Sequence, residues 1–318
     1  MSETTLASGR ARSPRSGRAV GGTPMAHRLA EKLIAIVAWA SVAAVLSLVT
    51  FIAREAAPLV EQPLGQLRDL LWPRQWPGYD AAVYIWQPVG LPPKYNVVPL
   101  LVGTLKMSGL AMLLAAPLAL LAAVYVAELA PPRQREVLKP LIELLAGIPS
   151  VVLGFFTLSF VASAAQALLG LTYRLNALAA ALGLGLAIVP VIFTVAEDAL
   201  RTVPAALREG AAALGARRWQ TTLRVVIPSA LPAVGETMIV LMASGNAAVV
   251  DLNPASGARS VTATIAAELG ETARGGEHWR VLFALGLLLF ALTWIIGKVG
   301  DLAIARLRRG WQGSEGGS

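Results

Sequence analysis

No cysteine occurs in the 318 residues, which removes disulfides, thiolate nucleophiles and cysteine-based metal or iron–sulfur sites. Charge is scarce: Asp, Glu, Lys and Arg make up 14% of the chain, against about 25% in soluble domains. The two histidines, His27 and His278, stand far apart in sequence and supply neither a metal cluster nor a Ser–His–Asp arrangement. No G-x-x-x-x-G-K-[ST] is present, so the chain has no P-loop for ATP. Gly183-Leu184-Gly185 lies inside an apolar stretch, where close helix packing accounts for it. What is plentiful is apolar surface: 56% of the residues are hydrophobic and the mean hydropathy is +0.63. Length alone suggests two soluble domains, but long uncharged runs override that prior. The net charge of +8 comes without an aromatic–basic surface or a binding motif for nucleic acid, so nucleic acid is not expected as a partner. It fits arginines gathered on one side of a membrane.

Along the chain, residues 1–28 are rich in Ser, Gly, Thr and Arg, lack an apolar face, and read as a disordered cytoplasmic tail. Leu33–Ala53, within a first helix placed at 29–53, is uncharged for 21 residues, about the 30 Å of a bilayer core at 1.5 Å per residue. Residues 54–96 carry both signs of charge, Trp72, Trp76 and Trp86, and prolines from Pro58 to Pro93. They read as an external, interfacial loop. Further spans are expected at Met107–Ala127, with Pro117 as a kink, and within Leu144–Tyr173. There Gly147, Pro149, Ser150 and Gly154 predict a broken backbone. Leu175–Ala196, Val234–Val250 and Val281–Gly297 bring the expected number to about six, followed by a cytoplasmic tail at 305–318. The fold class is therefore all-α and polytopic, with a helical core over 97–304. With the N-terminus inside, eighteen Lys and Arg fall on internal segments and eight on external ones, the direction of the positive-inside rule. Both termini are placed in the cytoplasm.

One polar interruption stands apart. Residues 199–232 are too charged to cross a bilayer, yet Val203, Leu207, Ala211 and Leu214 form one helical stripe, and Trp219, Leu223 and Val226 a second. Gly215 offers a left-handed cap between them, and Pro228 ends the second. An amphipathic interfacial helix anchored by arginines and a docking elbow both fit this pattern.

The order of residues in that elbow (Glu209, Ala211, Ala212, Gly215, then Val225-Val226-Ile227-Pro228) resembles the EAA loop of binding-protein-dependent ABC importer permeases. Gly210 stands where that pattern has its first alanine. YIWQPVGLPPKYNVVPLLVGTLKMS (Tyr84–Ser108), LIELLAGIPSVVLGFF (Leu141–Phe156), EDALRTVP (Glu197–Pro204) and GETMIVLMASGN (Gly235–Asn246) are similar to the PstC type of phosphate permease. The resemblance implies a type I ABC importer permease fold, with coupling helices that dock on a cytoplasmic ATPase through Glu209, Ala211, Ala212, Gly215, Arg217 and Arg218. It implies an inner-membrane subunit of a bacterial ATP-driven phosphate importer that is not itself an enzyme. Its partners would be a second permease of the PstA type, two ATPases of the PstB type holding ATP and Mg, and an external phosphate-binding protein of the PstS type. No cofactor is expected in this chain.

A phosphate anion is costly to desolvate, so its pathway needs donors without tight binding. Thr104, Ser150, Thr157, Thr237 and Asn246 are candidate lining groups, and Glu236 is an intramembrane carboxylate and a functional candidate by default. In the family, a further helical stretch containing an arginine precedes the Gly-Glu pair. Here Leu231-Pro232 leads through two residues to Gly235-Glu236, which shortens the fifth helix. The alternatives are therefore a permease for another oxyanion, a transport-impaired scaffold subunit, and a secondary transporter or channel that needs no ATPase.

Overall fold

The computed structural model describes residues 24–59, 68–202 and 242–315. The chain divides after Thr50 into two units. The described part of the first is the helix α1, Pro24–Ala56, whose last turn and a half, from Phe51, belongs to the second. Over Arg28–Leu59 it is long and apolar enough to cross a membrane. Its large side chains are exposed, Trp39 among them, as a lipid-facing helix requires.

The second unit begins with the loop expected at 54–96, which holds two short antiparallel ribbons. Arg74–Gln75 (β1) pairs with Ala82–Val83 (β2), and Trp86–Gln87 (β3) with Lys94–Tyr95 (β4), Trp86 opposite Tyr95. Then come α2 (Val98–Val124), continued by a π-helical turn over Tyr125–Leu129, α3 (Pro132–Ala146), α4 (Ser150–Phe156), a second π-helical turn at Thr157–Val161, and α5 (Ala162–Leu169). Helix α6 is Ala177–Thr202, α7 is Val261–Glu268 and α8 is Glu277–Glu315. Among the described residues five helices are long and apolar enough to span a membrane: Arg28–Leu59, Val98–Leu129, Ser150–Leu169, Ala177–Arg201 and Glu277–Gly300.

The core is the α2–α6 pair. On α2, Ala111, Ala115, Ala119 and Ala123 recur every fourth residue and are fully buried or nearly so. This stripe of methyl groups lets the two backbones approach, as small residues do inside membranes. On α6 it meets Ala177, Ala180, Ala181, Leu184, Ile188, Ile192 and Phe193, and Gly185 sits where an added Cβ would lie 3.7 Å from Ala115 Cβ. The two helices run parallel. Their N-termini both meet the segment 253–261, through Val261 N–H on Thr104 Oγ1 and Ala177 N–H on Ser256 O. Their C-terminal ends both meet α3, through Arg135 on Val126 O and Lys139 on Glu197.

Several sequence expectations move. The second span starts at Val98 instead of Met107, so Lys106 lies within it. The helix continues through Pro117, and the irregular turn comes at Tyr125–Leu129. The apolar run Leu144–Tyr173 is divided as expected: α3 ends at Ala146, Pro149 is extended, and Ser150 begins the spanning helix. The fifth span drawn at Val234–Val250 is not helical in its second half. Helix stops at Ala243, and Ser244–Ser260 forms an irregular loop closed by a bridge between Gly245 and Ala258. Gly245 and Asn246 both have positive φ, +75° and +49°, conformations that end a helix and that glycine and asparagine tolerate best.

Candidate functional site

Three polar constellations lie around the α2–α6 pair. At its C-terminal end Glu197, fully buried, receives Lys139 Nζ at 2.7 Å on Oε2 and the Arg201 guanidinium on Oε1. Lys139 lies 3.8 Å from both Glu143 and Asp198. Helix α3 is thereby fixed to α6 in the last turns before residue 203. Arg135 of the same helix caps α2 by donating to Val126 O at 2.8 Å and to Ala127 O. It satisfies carbonyls that a helix end leaves open.

The second constellation joins the β3–β4 ribbon to α7 and α8. Glu268 accepts from Trp86 Nε1 at 3.2 Å, pairs with Arg259 Nη2 at 2.7 Å and faces His278 Nε2 at 3.1 Å. Tyr95 stacks on the His278 ring with centroids 5.7 Å apart. Burial on its own pushes the Glu268 carboxyl up. The His278 hydrogen bond, the Arg259 charge and the Trp86 N–H outweigh it and hold the group below the usual carboxylate range. The Tyr95 phenol is pushed up to about 12 by burial and by the carboxylates of Glu277 and Glu268.

The third lies where the 244–260 loop meets α2. Thr104 is buried, and its hydroxyl donates to Leu100 O at 2.7 Å while accepting from Val261 N–H at 3.0 Å. The preceding residue, Gly103, lies so close to Arg259 that an added Cβ would collide with its carbonyl oxygen. Lys106 is also buried, and its ammonium donates to Asn253 O at 3.1 Å and Ser256 Oγ at 3.0 Å. Asp251 accepts from Asn253 N–H at 2.8 Å. That bond and the Ser256 hydroxyl hold its carboxyl below the ordinary range.

Of the pathway candidates, Thr104 is placed as above. Ser150 opens α4, half-buried. Thr157 is fully buried, its hydroxyl donating to Leu153 O. Asn246 is exposed, its N–H directed at Ser244 Oγ at 3.3 Å. The structure brings Thr104 to the end of the 244–260 loop, at Val261. Glu236 and Thr237, together with the coupling candidates Glu209, Ala211, Ala212, Gly215, Arg217 and Arg218, lie outside the described residues. Sequence reasoning missed Lys106, Glu197 and Glu268 as organising charges. Only the four-residue spacing of Glu197 and Arg201 was available as a signal.

The family model described as "Binding-protein-dependent transport system inner membrane component" matches residues 115–312. The "Phosphate transport system permease protein PstC" of Mesorhizobium japonicum is 32% identical over 290 residues, covering 80% of this chain and 86% of that protein. The "Probable ABC transporter permease protein YqgH" of Bacillus subtilis is 35% identical over 222 residues, 66% of this chain and 72% of that protein. Among solved structures, a bacterial ABC transporter involved in import of the acidic polysaccharide alginate matches at a TM-score of 0.46 and 17% identity. The match covers 88% of this chain and 99% of that one.

Proposed function

We propose, from the premise that this chain belongs to the binding-protein-dependent transport system inner membrane component family, that it is a permease subunit of an ATP-driven phosphate importer. The observation that carries this reading is the similarity to a phosphate permease of the PstC type along most of both chains. The chain would sit in the bacterial inner membrane with both termini cytoplasmic, as the distribution of its arginines and lysines supports. It would pair with a second, PstA-type permease and receive phosphate from an external binding protein. Two partner ATPases of the PstB type would hold ATP and Mg and carry out the hydrolysis.

In this reading the loop following α6 is the docking element, with Glu209, Ala211, Ala212, Gly215, Arg217 and Arg218 meeting the ATPase. The geometry beside it supports the assignment. A force on residue 203 enters α6 one residue after its end, and the buried Glu197 passes it to α3 through Lys139. Helix α6 in turn packs along the length of α2. Thr104, Ser150, Glu236, Thr237 and Asn246 are proposed for the translocation pathway.

The test is copurification of the chain with its ATPase, followed by uptake of labelled phosphate into proteoliposomes. Uptake is expected only with ATP inside the ATPase compartment and the external binding protein present. Uptake without ATP would assign a secondary transporter. Assembly with stimulated ATPase but no movement of any oxyanion would assign the scaffold role, and uptake of a different oxyanion alone would change the substrate.

A further inference from the structure

Lys106 differs from the other two organising charges in lacking an opposite charge. Glu197 and Glu268 each have cationic groups at ion-pair distance. The Lys106 ammonium, on a residue only 8% exposed, has two neutral acceptors, Asn253 O and Ser256 Oγ. No carboxylate among the described residues comes within ion-pair distance of it; Asp251 acts on it from farther away. The Asp251 carboxylate is itself taken up by the Asn253 N–H and the Ser256 hydroxyl. An ammonium has three N–H donors, so one has no acceptor among the described residues. A buried cation without a counter-ion is costly, and in a membrane span such a group marks a functional position by default.

We propose that the counter-ion of Lys106 is a tetrahedral oxyanion, and that its ammonium, positioned by Asn253 O and Ser256 Oγ, forms an anion-binding site where α2 meets the 244–260 loop. The proposal rests on the reading of the chain as an oxyanion permease subunit, and adds a cation to a set of proposed pathway residues that holds none. The position suits a transit site. Lys106 is eight residues into α2, about 12 Å from its start at 1.5 Å per residue, at the end where α6 also begins. Beside it Leu252, Asn253 and Pro254 are exposed, which gives the site an open side. The loop is held in place: the first amides of α6, Ala177 N–H and Leu178 N–H, donate to Ser256 O at 2.9 Å and Pro254 O at 3.0 Å. The Ser256 hydroxyl donates to Asn253 O at 2.8 Å and accepts from Lys106, so an arriving anion meets the free ammonium N–H without dismantling either existing bond. A single ammonium is a point charge without the two-pronged grip of a guanidinium, so it neutralises the anion without retaining it.

The test uses the assembled permease–ATPase complex in proteoliposomes with the external binding protein and labelled phosphate. Lys106→Gln keeps N–H donors for Asn253 O and Ser256 Oγ and removes the charge; Lys106→Arg keeps the charge. Phosphate uptake is expected to fall about tenfold or more in the glutamine variant, the scale of one lost contact of this kind, with assembly and thermal midpoint preserved. The arginine variant should lose less of the rate than the glutamine variant and show a lower KM for phosphate, because the charge is kept and the guanidinium grips the anion with two prongs. A glutamine variant with wild-type rate and KM overturns the site and assigns Lys106 to holding the loop. Should the glutamine variant not assemble, the wild-type complex decides: acylation of Lys106 by a small amine-reactive anhydride, read by peptide mass spectrometry, should slow in phosphate relative to chloride at equal ionic strength. Equal rates in the two anions overturn the proposal. Protection of Lys106 by phosphate in a complex that transports no phosphate would preserve the site while removing the importer reading.

Discussion

The two ends of the α2–α6 pair are each organised by a carboxylate, fully buried at one end and half-buried at the other, in different chemical company. At the end that leads to residue 203, Glu197 is fully buried and both its partners are permanent cations, Lys139 from α3 and Arg201 one turn along its own helix. At the end where α2 begins, Glu268 has one permanent cation, Arg259, one titratable partner, His278, and one neutral donor, the Trp86 indole, within a stack of aromatic rings. In the first arrangement the polar partners are all charged, and they add to the apolar packing of Leu138 and Ile142 of α3 on the core. The second joins a ribbon, a short helix and a long helix by a mixture of charge, hydrogen bonding and ring contact. Joints whose polar partners are all charged fail abruptly when one member is removed, because the rest is left uncompensated. Mixed joints lose one contribution at a time.

The largest effect is therefore expected from Glu197→Gln. Breaking a buried ion pair from one side costs about 3–5 kcal/mol. The lower half of that range is expected, because Lys139 and Arg201 are 24% and 46% exposed at their side chains and can turn to water. The thermal midpoint of the purified chain should fall by more than for any single change in the Glu268 cluster. ATPase stimulation should also drop if α6 carries force away from residue 203. A Glu197→Gln variant as stable as the wild type would remove the distinction between the two ends.

A smaller and pH-dependent effect is expected at the other end. The Glu268 carboxyl is held below its ordinary value of 4.5 in the folded chain. A depressed carboxylate contributes stability that is fully present above the unfolded value and is lost as pH falls through the folded one. Thermal midpoints measured downward from pH 6 should stay level and then fall below about pH 4.5. Glu268→Gln should cost about 2 kcal/mol at neutral pH, below the range for a fully buried pair because this carboxylate keeps some solvent contact, and should flatten the acid limb. An acid limb equally steep in the variant would locate the titrating group elsewhere.

The contrast between the ends also marks what was legible beforehand. The break at Gly147–Pro149 was readable because glycine and proline act through their own backbone. The end of helix at Ala243 was readable in principle from Gly245 and Asn246, but the apolar run Ala247-Ala248-Val249-Val250 outweighed them when spans were drawn by hydropathy. Lys106 was cut off from its helix for the same reason: a rule that ends a span at the first charge cannot know that Asn253 O and Ser256 Oγ will receive that charge. Glu197 and Arg201 show a helical spacing, but Lys139 lies 58 residues away. Glu268 and Trp86 are 182 residues apart. Partners at that separation are set by tertiary packing, and one sequence carries no local signal for them. EDALRTVP and WQPVG each contain one member of a polar cluster, Glu197 and Trp86, but neither motif names that residue's partner.

The smallest effect sharpens the comparison most. Trp86→Phe keeps an aromatic ring opposite Tyr95, whose centroid lies 5.7 Å from the Trp86 ring, and near His278 at 6.1 Å. It removes the indole N–H that reaches both Glu268 oxygens at 3.2 Å, together with the part of the buried indole that a phenyl ring does not fill. The hydrogen-bond part of the loss should be about 1 kcal/mol, the net worth of one neutral donor on a partly solvated acceptor, because Arg259 and His278 still hold the carboxylate. In the Glu268→Gln background the same substitution should cost less, since the indole then faces a neutral amide and the charge-assisted part of the bond has already gone. A double-mutant cycle on thermal stability measures that difference. Strict additivity would mean that the Trp86 contribution is ring packing alone, and the polar partners at the α2-start end would then act by charge, in the same manner as those at the Glu197 end.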